Sequence, residues 1–255
     1  LTAAGGLAYW MDDFDASNAA YQERLALAVG LDDPGLIADA HYDLGFLSMV
    51  AEDVQELRAH EEKAFEHYRA AGREADAIRA RQALVLAVFL DADYAVAREL
   101  QEQNLEVWRV RSPAEYADGV TLLAGINYRL HDFPAGWGRM LEGLRFFWDK
   151  GLESGVVRSL GMATIIRFGA GDAEFAVRIA AALYALMRRE NLMLAPVKVL
   201  HLPEPSKLAA EAFGPEEAEA RLAAGAEAPL ADVIAEILAA APPRPAGASA
   251  SAPVA

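Results

Sequence analysis

Five aspartates, each followed by a hydrophobic residue, recur along this chain: Asp13-Phe14, Asp53-Val54, Asp93-Tyr94, Asp132-Phe133 and Asp172-Ala173. The steps between them are 40, 40, 39 and 40 residues. A period in this range marks architectures in which each unit is one supersecondary element that cannot bury its apolar face alone and must stack on its neighbours. Around each aspartate the same pattern repeats: roughly 15 residues of helical periodicity, a tight turn at the aspartate, and a second helix that closes near glycine or proline. In the fourth unit Phe133, Trp137, Met140, Leu141, Leu144, Phe147 and Trp148 recur at helical spacing and form one apolar stripe. The expected fold is all-α: a right-handed superhelix of about five helix hairpins with a period of about 40 residues, closed by a C-terminal helical cap.

Other residues punctuate the same units. Gly30, Gly72 and Gly151 follow their aspartates by 17, 19 and 19 residues, where a helix C-terminus favours a residue tolerant of positive φ. Pro34 and Pro113 fall where a following helix opens, a position at which the missing N–H is not needed. Gly5 and Gly45 stand eight residues before an aspartate, and Gly125 seven before. A glycine inside a helix costs about 1 kcal/mol relative to alanine, so its recurrence at equivalent places points to close helix packing.

The chain has 255 residues, 54% of them hydrophobic, ample for a core. Its formal charge of -15 argues against direct nucleic-acid contact, since phosphate-binding surfaces cluster Lys and Arg. The expected partners are a protein, a peptide or a small-molecule effector. Absence of cysteine excludes disulfides and thiolate metal sites and fits a cytoplasmic protein. No stretch reaches the 18 or so apolar residues of a membrane span. The N-terminus lacks Met and a basic-then-apolar leader pattern, so the chain reads as part of something longer, whose own upstream domains are further partners.

Residues 1–190 read as the repeat stack, and 191–241 as a proline-bearing loop followed by the cap. Eight acids (Glu204, Glu211, Glu216, Glu217, Glu219, Glu227, Asp232, Glu236) against Lys207 and Arg221 give that cap a solvated face. Residues 242–255 have no core-forming periodicity and are expected to be disordered.

No residue pattern assembles a catalyst. None of Lys63, Lys150, Lys198 and Lys207 follows a glycine, so there is no phosphate-binding P-loop, and Gly169-Ala170-Gly171-Asp172 reads as an interhelical loop. His60 and His67 share a helix, but their spacing of seven does not match the spacing of four of a two-histidine metal site. Alternation with Arg58, Lys63 and Arg69 makes that stretch a solvated face. No nucleophile elbow occurs, and no two carboxylates stand out as an acid–base pair. The expectation is a non-catalytic segment without metal or cofactor.

Leu44-Gly45 before Asp53, with Ala97 and Ala176 each four residues after their aspartates, resembles the tetratricopeptide repeat in a long-helix form. Ala173 to Glu190, the loop from Ala195 to Ser206, and Leu208 to Leu238 resemble the C-terminal region of large multidomain bacterial signalling proteins. These are the ATP-dependent LuxR-class and AfsR-like transcriptional regulators and the adenylate-cyclase-type regulators. In tetratricopeptide stacks the first helix of each hairpin lines a concave groove. Registering the hairpins on their aspartates brings Asp39, Tyr42, Arg79, Gln82, Arg129 and Arg158 to comparable groove positions. Three arginines there would suit an acidic or phosphorylated ligand, and the plainer alternative is arginines that are solvated or paired within the chain. Tyr9 and Trp10, ending the first helix, are expected either in an inter-domain contact or in the core. The resemblance implies a regulatory sensor module of a signal-transduction ATPase or transcriptional regulator. A sensor region of a cyclase-type enzyme and a passive assembly scaffold are the alternatives.

Overall fold

The computed structural model describes residues 1–11, 13–192 and 202–244. Among the described residues there are thirteen helices and no strand, so the chain is an all-α helical-repeat protein. The first ten are α1 (Thr2–Trp10), α2 (Phe14–Gly30), α3 (Pro34–Val50), α4 (Val54–Ala70), α5 (Glu74–Leu90), α6 (Tyr94–Arg111), α7 (Pro113–Arg129), α8 (Phe133–Asp149), α9 (Glu153–Gly169) and α10 (Ala173–Glu190). Three shorter ones follow: α11 (Pro205–Phe213), α12 (Pro215–Gly225) and α13 (Leu230–Ala239). None of the helices is long and apolar enough to cross a membrane.

Local chemistry sets the period. Most of α2 to α9 are 17 residues long, and the recurring connector adds three. In the three-residue connectors the residue before the helix N-cap is left-handed: Asp32, Glu52, Gly72, Ala92, His131, Gly151 and Gly171 all have positive φ. Next comes the cap. Asp33, Asp53, Asp93, Asp132 and Asp172 each accept a hydrogen bond from the backbone N–H three residues on. Arg73 and Leu152 make no such bond, and both follow a glycine. A left-handed non-glycine residue costs roughly 1–2 kcal/mol, and a good side-chain cap recovers about 1 kcal/mol. Each of these connectors therefore has an aspartate cap, a glycine, or both. The 40-residue spacing of the sequence is two such half-periods.

Two details refine the punctuation. Gly72 and Gly151 are left-handed as expected, but Gly30 is the last residue of α2, and the left-handed position is Asp32. Pro34 and Pro113 open α3 and α7. Between α6 and α7 only Ser112 intervenes, its hydroxyl capping Glu115 N, which accounts for the single step of 39.

The chain forms two compact units, Leu1–Asn104 and Leu105–Ala255, divided within α6. In the first, α1 to α5 pack in succession. Tyr21, Leu44 and Leu47 form one core cluster there, and Ala38, Ala64, Tyr68, Ala77 and Ala80 another. The small residues at the hairpin positions do admit close neighbours: Gly5 lies under the Tyr21 ring and Gly45 against the Glu61 carboxyl. In the second unit α7 to α10 pack in succession, while α11 and α12 lie on α10, and α13 touches α8 and α10. Val177, Ala209 and Ala218 join α10, α11 and α12 in one buried cluster. Residues 193–201 of the expected loop and 245–255 of the expected disordered tail lie outside the described residues.

Candidate functional site

Four of the six residues expected in a groove belong to the first unit, on α3 and α5. Asp39 accepts from Tyr68 Oη at 2.9 Å and pairs with Arg73 at 2.9 Å and Arg24 at 3.3 Å. The Arg79 guanidinium lies 5.4 Å from the centroid of the Tyr42 ring and also pairs with Asp76. Gln82 accepts from Asn104 at 3.3 Å. Arg129 and Arg158 belong to the second unit, on α7 and α9. Arg158 pairs with Asp118 and lies 5.2 Å from the centroid of the Phe147 ring, and Arg129 is half-buried. Arg79 and Arg158 thus carry carboxylate partners from within the chain.

A recess in the first unit lies between α2 and α4, over the C-terminal half of α3. This recess has a volume of about 550 Å³. Its apolar lining includes Leu44, Leu47 and Val50 from α3, and α2 contributes Phe14. Asp15 of α2, Asp53 at the connector and Glu56 of α4 supply carboxylates. These groups converge because α2, α3 and α4 start from aspartate caps and run for the same 17 residues.

Phe14, which lines the recess, belongs to a cluster of aromatic side chains. Tyr9 makes edge-to-face contacts with Trp10, Phe14 and Phe46, with ring centroids 5.5, 5.9 and 5.1 Å apart. Tyr9 packs against the Tyr21–Leu44–Leu47 cluster, but Trp10 is 82% exposed. Met11, Phe46 and Met49 are also exposed. Of the two aromatics expected in a contact or in the core, Tyr9 is therefore partly core and Trp10 is surface.

The α4 wall carries His60. Its Nδ1 is 2.9 Å from His41 Nδ1, and the His67 ring stacks on His41 with centroids 6.2 Å apart. Burial is the main cause that pushes His41 down to about 4, aided by the neighbouring His60, Lys63 and His67. Burial also lowers His60, against the opposing pull of Glu56. These two imidazoles are accordingly neutral at neutral pH. Farther along the α3–α4 interface, Glu61 is 2% exposed, and burial pushes its carboxyl up to about 9. Its Oε2 has no hydrogen-bond partner.

Among the described residues no three His, Cys, Asp or Glu side chains converge in a geometry able to hold a metal ion. The sequence reading placed His60 and His67 on a solvated face and missed His41 as their neighbour. Folding the α3–α4 hairpin about Asp53 was the available signal, since it sets residues before the turn opposite those after it. No protein-family model matches the chain, and no curated protein matches it.

Proposed function

We propose that this chain is a regulatory binding module of the tetratricopeptide type, acting within a cytoplasmic bacterial signalling protein of the LuxR/AfsR class. The observation that carries this reading is the open recess between α2 and α4, floored by Leu44 and Leu47 and lined by the exposed Phe14 and Val50. Exposed apolar surface grouped around a concavity is the usual form of a partner or ligand site. Rigid 17-residue helices hold its walls, so a ligand meets a preformed surface. In this reading the module performs no chemical step. An effector that binds two conformational states of the signalling protein with different affinity shifts their populations, and that difference is the signal.

A thermal-shift screen of the 255-residue chain against metabolite and peptide collections tests the reading. The expected hit raises Tm, does so less in Phe14→Ala, and is recovered chemically unchanged. Hits that the chain converts to a product, or hits indifferent to Phe14, would contradict it.

A further inference from the structure

We propose that the recess captures a basic amphipathic helix from a partner protein, a proposal that rests on the binding-module reading above. Three features of the surface select this occupant. The first is apolar. Phe14 and Val50 line the recess and are exposed, above the more deeply set Leu44 and Leu47. Exposed apolar side chains grouped on a concavity are the chemistry that accommodates an apolar helix face.

The second feature is charge. Asp15, Asp53 and Glu56 line the recess, and among the described lining residues there is no Lys or Arg. His60, the one basic group on the wall, is kept neutral by burial against His41. Glu56 Oε2 stands 3.6 Å from His60 Nε2, so no full positive charge offsets it there. Asp53 uses one oxygen to cap α4 at 3.1 Å, while Asp15 is exposed on the first turn of α2. Such a surface attracts cations and repels acidic peptides, nucleic acids and anionic membranes.

The third feature is size. A volume of about 550 Å³ admits a few large side chains and not a whole helix. The occupant must therefore lie across the border and insert anchors, as an amphipathic helix does with residues at i, i+3 or i+4, and i+7. Leu or Phe anchors meet Leu44 and Leu47, and flanking Lys or Arg reach Asp15 and Glu56.

The test uses the whole chain and two fluorescein-labelled helical probes of 18 residues, read by anisotropy. Both carry leucine on one face; the other face is lysine in one probe and glutamate in the other. The lysine probe is expected to bind, and the glutamate probe at least about tenfold more weakly. Asp15→Lys combined with Glu56→Lys should weaken the lysine probe about tenfold, as should Phe14→Ala. Glu153→Lys in the second unit should leave binding unchanged. Equal binding of the two probes, or binding indifferent to both recess variants, overturns the proposal. If neither probe binds while another compound stabilises wild type more than Phe14→Ala, the helix proposal fails and the binding-module reading stands.

Discussion

The guanidinium of Arg167 lies 3.9 Å from the centroid of the Trp137 ring. Trp137 is fully buried, and its indole N–H donates to Ala240 O at 3.4 Å. Arg167 itself donates to Asp172 at 3.2 Å and to Ala241 O at 2.7 Å, and a second ring, Phe175, lies 4.9 Å away. One buried cation thus ties α8, α9, the fifth aspartate connector and the chain after α13 together. The sequence marked Asp172 as a turn. The structure adds that this turn also anchors the C-terminal cap.

Replacing Arg167 with Met keeps much of the stacking volume but strands two acceptors. The expected loss is about 2–3 kcal/mol by denaturant melt, in the range for hydrogen bonds to a charged group lost from a buried site. Limited proteolysis should cut within residues 202–244 before it cuts α7 to α10. Loss of stability without that order of cleavage would argue against the anchor.

The α3–α4 interface should give stability a characteristic pH dependence. Glu61 is raised from its ordinary 4.5 to about 9, so its contribution is fully present below about 4.5 and is lost as pH rises through about 9. His41 is lowered from 6.5 to about 4, so its contribution is present above 6.5 and is lost as pH falls toward 4. The two slopes oppose each other between about 4.5 and 6.5, and only the Glu61 slope continues above that. Glu61→Gln should therefore gain on wild type as pH rises from 6.5 to 8.5, by up to about 1.4 kcal/mol per pH unit. A pH-independent difference in melting free energy would rule out a buried neutral carboxyl.

Gly45 has no room for a side chain, because a Cβ there would run into the Glu61 carboxyl. Gly45→Leu should cost about 1–3 kcal/mol through overpacking. Gly45→Ala should be rescued in part by Glu61→Ala, with a coupling of about 1 kcal/mol in a double-mutant cycle. Additive effects would mean that the two residues are not in contact.

The connectors predict opposite signs for similar substitutions. Ala92 holds φ 62 and Gly72 holds φ 69. Ala92→Gly should stabilise by about 1 kcal/mol and Gly72→Ala destabilise by a similar amount. Asp53→Ala should cost about 1 kcal/mol, since it removes the cap from α4 beneath a left-handed Glu52.

The all-α repeat was legible because an aspartate cap is a local device, written in the residue that performs it. Half of its rhythm stayed hidden. Arg73 and Leu152 begin helices without a side-chain cap, and Asp33 and Ser112 cap helices that a 40-residue register passes over. The approach of Gly45 to the next helix was readable from its repetition, but not the partner, a buried acid that looked like one more surface charge. The recess was not readable at all. It depends on how three helices leave space between α2 and α4, while the expected groove followed α3, α5, α7 and α9. There, Asp39, Tyr42 and Arg79 are taken up in ion pairs and a ring contact within the chain.

The most direct test of the recess as a binding surface exploits the absence of cysteine. Val50→Cys, labelled with an environment-sensitive fluorophore, places one reporter on the lining of the recess, and Glu153→Cys places one in the second unit. Titration with the lysine-faced helical probe should shift the emission at position 50 to the blue and saturate, with no change at position 153. An unresponsive label at position 50, or equal responses at both positions, would contradict the account.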